Sequence, residues 1–307
     1  MTALPVLDAG QVTGALGWTD AVAALRAALA AGLDPEAEPA RVSFGLGAGE
    51  MLVMPSGNDR VAGVKLVSIA AGNPVRGLPR IHGVYVLFAA ATLVPIAVLD
   101  GAALTCLRTP AVSALGVDLV APAAARRLVL FGTGPQAYAH VHALRAVRPI
   151  DAVHVVGRDP ARTAAFAERL RTEGIAATPG DARAVADADI VACCTTARTP
   201  LFAGRLLPDH AVVVAVGSHE PGAREVDGET VRRCGALVES RVAATSEAGD
   251  IVQAMAEGAI EADDLVTLAD LMRGADTARP RLVKTVGMGW QDLVVAAAVV
   301  DAVSVRA

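Results

Sequence analysis

The chain has 307 residues, enough for two domains, and its 53% hydrophobic content with only 3% aromatics describes an alanine- and valine-rich α/β enzyme rather than a disordered or fibrous chain. A formal net charge of −5 with no run of basic residues argues against nucleic-acid and anionic-membrane partners. The four cysteines, Cys106, Cys193, Cys194 and Cys234, have no metal-ligand spacing, and the N-terminus lacks a basic segment followed by an apolar core. No metal is therefore expected, and the expectation is a reduced, cytoplasmic protein.

Residues 4–7 read as a short strand, and Thr19-Asp20 opens an amphipathic helix reaching about Leu33. Residues 41–55 pattern as a hairpin around Gly45 to Gly49, residues 61–69 continue the sheet, and Gly72-Asn-Pro74 is a loop. The most apolar run, Val84 to Leu99, is too short for a membrane span and contains Pro95, so it reads as two buried strands joined by a turn. Asp100 caps a helix through Arg108, Thr109-Pro110 restarts it, and Ala121-Pro122 marks a domain boundary. From Arg127 strands and helices alternate as in a βαβ array, with later strands at 175–177, 190–195, 211–216, 236–239 and 282–286. The helix expected over 290–305 is apolar on most faces and returns to the N-terminal unit.

The motif with most chemistry in it is Leu128 to Ala137, an apolar strand running into Gly132-Thr133-Gly134-Pro135-Gln136-Ala137. This is a dinucleotide-binding fingerprint: Gly132 permits a tight turn, Gly134 lets backbone amides approach a pyrophosphate, and Ala137 lets the helix pack on its strand. A second strand at 152–156 and the helix start Asp159-Pro160 supply the context that the motif requires. About 130 residues precede it, so a separate unit is expected to supply the substrate and most reactive groups. At the end of the second strand, Gly157-Arg158 replaces the acidic residue that binds the ribose 2′-hydroxyl of NAD, which points to NADP(H), with NAD(H) as the alternative.

Of 27 basic residues only two are lysines, Lys65 and Lys284, both in apolar, strand-like contexts. Lysine in such a place exchanges a proton more readily than arginine, although a snorkelling strand-end lysine reads the same way. His140 and His142 lie two apart on a helix, on different faces, and make no metal pair.

Several separated motifs together resemble the ornithine cyclodeaminase/μ-crystallin family. They are Arg41 before Met54-Pro55, Gly63-Val-Lys65, Gly72-Asn-Pro74, Leu107-Arg-Thr109 with Ser113-Ala-Leu115, and the turn at Gly132. Val216-Gly-Ser-His219 with Arg224-Glu-Val-Asp227, Gly249-Asp-Ile251 and Thr285-Val-Gly-Met288 complete the set. The resemblance implies an α/β fold: a Rossmann domain over 121–287, and a mixed-sheet α+β substrate and dimerisation domain over 1–120 and 288–307, with the site in the cleft between them. It places Arg41 and Lys65 on the substrate carboxylate, Arg108 close to both substrate and cofactor, and Val286 at the substrate. Thr109, Thr195, Val216, Gly217, Ser218 and Thr285 join the fingerprint residues, Gly157 and Arg158 at the cofactor. A homodimer is implied in the same way.

Two departures decide the chemistry. Cyclodeaminases of this family carry a glutamate two residues before the Met-Pro pair, where this chain has Leu52, and an aspartate after Val-Gly-x, where it has His219. Without both carboxylates a dicationic diamino acid loses its partners. The expected activity is therefore NADPH-dependent reduction of an α-imino acid such as Δ1-pyrroline-2-carboxylate or Δ1-piperideine-2-carboxylate. His219, Lys65 and, second, Asp227 are candidates for the proton; Asp227 could equally cap a helix near Gly228. A redox-neutral cyclodeaminase with recycled NAD, an amino-acid dehydrogenase and a cofactor-binding protein without turnover are the alternatives.

Overall fold

The structure, a computed structural model, describes residues 4–275 and 280–306. It divides into two units, Met1–Thr109 with Gly287–Ala307, and Pro110–Val286. In the first unit, strands β1 (Val6–Leu7), β2 (Val42–Leu46), β3 (Gly49–Gly57), β4 (Val61–Ile69), β5 (Ile81–Ala89) and β6 (Pro95–Asp100) form one sheet in the order β1-β6-β5-β4-β3-β2. All neighbours are antiparallel except β1 and β6. The sequence reading missed helix α1 (Ala9–Ala15), although Asp8 and Gln11 close a reciprocal capping box at its start. Helix α2 (Trp18–Ala30) starts one residue earlier than expected, at an N-cap glycine, Gly17.

Alternation along the strands sends side chains to two different fates. Leu52, Met54 and Ser56 of β3, Gly63, Lys65 and Val67 of β4, and Tyr85 and Leu87 of β5 share one face by register. Helix α10 (Gly289–Arg306) packs across these three strands and against α1 and α2. The opposite face is apolar too. One row runs Val6, Val98, Val86, Val64, Pro55 and another Val84, Leu66, Val53, Val42. Val6, Val42, Phe44, Leu46 and Val84 are exposed on the chain taken alone.

Helix α3 (Gly101–Val120) is continuous, where a break and restart at Thr109-Pro110 was expected; Pro110 sits inside it. A proline removes one N–H rung without ending a helix whose other rungs stay bonded. The boundary between the units falls at this proline and not at Ala121-Pro122. α3 is also apolar and long enough to cross a membrane, but 67% of it is buried inside the protein, as expected of a core helix.

The second unit carries β7 (Arg127–Phe131), α4 (Pro135–Arg145), β8 (Ala152–Val156), α5 (Pro160–Thr172), β9 (Ala177–Pro179), β10 (Ile190–Cys193), β11 (Val212–Ala215), α6 (Gly228–Cys234), β12 (Ala236–Val238), α7 (Arg241–Glu247), α8 (Gly249–Ala256), β13 (Val266–Thr267), α9 (Leu268–Met272) and β14 (Leu282–Lys284). Its eight strands are all parallel, in the order β13-β12-β14-β11-β10-β7-β8-β9. β9 begins where the strand expected at 175–177 ends. The chain winds outward from β7 to β9, then restarts on the other side of β7 with β10. In open α/β sheets, ligands bind at that switch point, outside the carboxyl ends of the strands.

Close packing explains one glycine of the sequence motifs. A Cβ on Gly63 would stand 2.1 Å from the hydroxyl oxygen of Tyr85, whose ring is fully buried. Gly63→Ala is expected to destabilise the protein by about 1–3 kcal/mol through overpacking. Urea unfolding checks this, and a midpoint equal to wild type would show that the ring yields freely.

Candidate active site

In the first unit, a buried carboxylate gathers the cationic candidates. Asp292, in the first turn of α10, pairs with Lys65 Nζ through Oδ2 at 2.7 Å and accepts a hydrogen bond from Arg108 Nε on Oδ1 at 3.1 Å. Arg108 Nη1 donates to Gln291 Oε1 at 2.9 Å. All four side chains are buried. Gly287, at φ +83°, makes room: a Cβ there would meet the Arg108 guanidinium at 2.4 Å. Arg41 stands before β2, half-buried, and its charge is felt at Lys65.

Two cations, Lys65 and Arg108, share the single carboxylate of Asp292 in this buried trio. Burial, then the Arg108 charge, pulls the Lys65 ammonium down to about 8; Asp292 opposes the shift and Arg41 adds to it. Burial pushes the nearby Glu38 carboxyl up. Burial also pushes the Tyr85 phenol up, helped by the Asp292 and Glu38 charges, so it is a neutral donor; its hydroxyl has no hydrogen-bond partner among the described residues. Such a cluster has surplus positive charge and buried donors to offer an anion. On the same sheet face, Leu52 belongs to an apolar group with Met54, Val67 and Ile69.

In the second unit, the fingerprint residues line the carboxyl edge of the sheet. Gly132 has φ +112°, and a Cβ there would lie 2.4 Å from the Cys194 carbonyl oxygen, across the switch point. Gly134 is the N-cap of α4, and a Cβ built on it meets nothing within 4 Å. That open space in front of a helix N-terminus suits a pyrophosphate, so the residues fit a dinucleotide. Pro135 occupies the first turn and Ala137 is fully buried against the sheet, while Thr133 and Gln136 are half-buried. Ser113 is also buried, with its hydroxyl 3.0 Å from His140 Nε2, and burial pulls His140 down to about 4. His140 is thus a neutral packing group, and His142 pairs with Glu173 at 3.1 Å.

Beyond β10 and β11 the chain is held by buried carboxylates. Glu225 accepts from Thr195 N and Oγ1 on Oε1 and from Gly217 N on Oε2, each at 2.7 Å. Lys284 donates to the Ser218 carbonyl at 2.6 Å and pairs with Asp250 at 3.0 Å, so this lysine is engaged in the fold. Val216 and His219 are half-buried on either side of this turn. Thr285 is buried, and the Val286 amide donates to Glu239 at 2.7 Å. Thr109 is half-buried in α3.

Asp227 is corrected as a candidate for the proton. It is the N-cap of α6, with one oxygen accepting from Thr230 N and Oγ1 and the other from Gly204 N. Burial alone would raise its carboxyl, but these bonds hold it below the usual range. The sequence reading missed Asp292, Gln291, Tyr85 and Glu225. An acid just before the apolar run 293–300 of α10 was the available signal for Asp292, and Gly63 was the indirect one for Tyr85.

A parallel sheet with a dinucleotide turn in one unit, and a mixed sheet carrying a buried cationic cluster in the other, define an oxidoreductase that works with a nicotinamide dinucleotide. The chain belongs to the ornithine cyclodeaminase/mu-crystallin family, whose model matches residues 8–306. It is 36% identical to Delta(1)-pyrroline-2-carboxylate reductase 2 of Burkholderia ambifaria, over 100% of this chain and 99% of that one. It is also 36% identical, with the same coverage, to the Delta(1)-pyrroline-2-carboxylate/Delta(1)-piperideine-2-carboxylate reductase of Azospirillum brasilense. Among solved structures, Delta(1)-pyrroline-2-carboxylate reductase of Thermococcus litoralis, in complex with NADH and L-proline, superposes with a TM-score of 0.92 at 26% identity, covering 99% of this chain and 98% of that one.

That complex overturns the expectation of NADP(H), since the relative holds NADH. The structure explains why Gly157-Arg158 misled. A Cβ on Gly157 would stand 2.4 Å from Thr163 Oγ1 and 3.2 Å from Thr133 Cγ2, so packing at the start of α5 already demands glycine. Arg158 is exposed and makes no hydrogen bond or ion pair to any described residue, so nothing fixes its guanidinium over a 2′-phosphate. Asp159 caps α5 through Ala161 N and Arg162 N, as expected.

Lys65 yields a pH prediction. Its ammonium form is present below about 8 and lost as pH rises through that value. The kcat/KM for an anionic substrate is expected to fall above pH 8. Lys65→Arg should remove that limb, because guanidinium stays charged, while lowering kcat by about 10²-fold or more. An unchanged limb in Lys65→Arg would assign it to another group.

Proposed function

We propose that the protein is an NADH-dependent reductase of a cyclic α-imino acid, with Δ1-pyrroline-2-carboxylate as type substrate and proline as product. The observation that carries this reading is the buried Lys65–Asp292–Arg108 group, whose surplus positive charge suits one substrate carboxylate. Leu52, within an apolar patch, offers no anionic partner for a second amine, which speaks against ornithine. The relatives from Burkholderia ambifaria and Azospirillum brasilense support the substrate class.

Arg41, Lys65 and Arg108 hold the carboxylate, and Tyr85 adds a buried donor. NADH, when bound along the Gly132–Ala137 turn, supplies the hydride for the imine carbon. Lys65 supplies the proton taken up at the imine nitrogen and regains it from solvent, its lowered pKa making the transfer accessible near neutral pH. His219, past β11, is the alternative donor; Thr195, Val216, Gly217, Ser218 and Thr285 border the coenzyme, and Val286 the substrate. The four free cysteines fit a reducing cytoplasm.

We further infer a homodimer through the outward face of the first unit's sheet. Two apolar rows cross that sheet, and a monomer seldom leaves so continuous an apolar surface in water. A second copy supplies a self-complementary cover.

The deciding assay pairs the purified protein with Δ1-pyrroline-2-carboxylate and follows NADH oxidation and proline formation. Equimolar NADH loss and proline gain are expected, with no ammonia from ornithine and NAD. Ammonia release from ornithine would make it a cyclodeaminase and overturn the reading. Activity retained in Lys65→Met but lost in His219→Asn would move the proton to His219. For the dimer, Leu66→Glu, on the sheet face away from Lys65, is expected to halve the mass seen by sedimentation; a monomeric wild type would sink the idea.

A further inference from the structure

We infer that Glu225 is a positioning residue for the coenzyme: its single buried carboxylate ties the turn after β10 to the turn after β11 and so sets the carboxyl edge on which the dinucleotide lies. The inference rests on the coenzyme reading above and adds a residue to which no role has been given.

The geometry is specific. Oε1 takes both the amide and the hydroxyl of Thr195, and Oε2 takes the amide of Gly217. All the donors point inward at a side chain that is itself fully buried. A Cβ on Gly217 would stand 2.0 Å from the Thr195 carbonyl oxygen and 2.7 Å from the Glu225 carboxyl carbon, so the two turns are in contact around this group. Asp250 fixes the segment that carries it, accepting from Glu225 N at 2.6 Å and Val226 N at 2.9 Å on Oδ1, and from Ser218 Oγ at 2.8 Å on Oδ2. Lys284 completes the cluster from β14.

Only a carboxylate serves here. Each oxygen receives at least one N–H, so a glutamine would set an NH₂ donor against one of those amides, and a protonated carboxyl would lose an acceptor in the same way. The charged and titratable groups facing Glu225 are Lys284 on β14, Asp250 on α8, and Cys193 and Cys194 at the end of β10. Burial, reinforced by Asp250 and opposed by Lys284, pushes the Glu225 carboxyl above the ordinary range, while burial keeps both thiols neutral. The clamp is therefore complete at high pH and lost as pH falls through that raised value.

The test is direct NADH binding, followed by the fluorescence of the bound nicotinamide across pH 5–8 or so, in a His219→Asn background that removes the neighbouring imidazole. The background protein is expected to lose affinity toward the acid end. In that background Glu225→Gln is expected to bind NADH about tenfold or more weakly at neutral pH, with a flat profile; made alone, with His219 kept, it is expected to change the imine KM at saturating NADH little. A folded Glu225→Gln with the background affinity and profile overturns the inference and leaves the reductase reading intact. If that variant fails to fold, Thr195→Val, which deletes only the hydroxyl bond, is expected to weaken NADH binding severalfold; unchanged binding there overturns the inference as well. A wild type without affinity for NADH would remove the functional reading itself.

Discussion

One buried carboxylate organises the first unit. Lys65 and Arg108 come from different elements, a central strand and the long helix after the sheet, and two buried cations cannot share an interior without a counter-charge. Asp292 supplies it from α10, where Trp290, Leu293, Ala296 and Val299 are apolar and fully buried. Removing one member of such a buried group characteristically costs about 3–5 kcal/mol, because the remaining charges are left unpaired. The same arrangement that secures α10 leaves surplus positive charge. The packing of α10 and the charge left over in this group thus rest on the same atoms.

The second unit solves a different problem. Its strands approach one another closely at their carboxyl ends, and the turns beyond them carry amides that must be satisfied without side chains intruding on a ligand. Gly132 and Gly217 supply the clearance, and Glu225 and Asp250 satisfy the amides from below. Lys284 keeps this pair of acids from being an uncompensated double charge. The two lysines of the chain therefore do related work, Lys65 buried in the middle of its strand and Lys284 at the end of its own, each paired with one aspartate.

Most of the architecture was legible because its signals are local. The Gly132 turn, the hairpin at Gly45–Gly49 and the paired strands around Pro95 each announce themselves within a few residues. The continuity of α3 through Pro110 was not legible, since it depends on packing that holds a helix together across a missing rung. Lys65, Arg41 and Arg108 could be named through family resemblance, yet the carboxylate that Lys65 and Arg108 share could not, because Asp292 is distant in sequence and belongs to no short motif. Glu225 lay inside a recognised motif and was still passed over for Asp227; only the bond lists of the two acids tell a loop clamp from a helix cap. Coenzyme preference failed for a similar reason. Gly157 answers to Thr163 on the helix that follows it, a contact that shows only once the helix is packed.

The partners Arg108 and Asp292 are separated by 184 residues, and the whole second unit is encoded between them. During synthesis the ribosome therefore delivers the sheet with Lys65 and Arg108, then an entire Rossmann domain, before the counter-ion emerges. Domains complete themselves in the order in which their parts appear. The second unit, being one uninterrupted stretch, has all it needs first, whereas the first unit must wait with two cations it cannot bury. Helix α10 thus closes a sheet made long before it, and the first unit's buried ion cluster forms only after the second unit is complete.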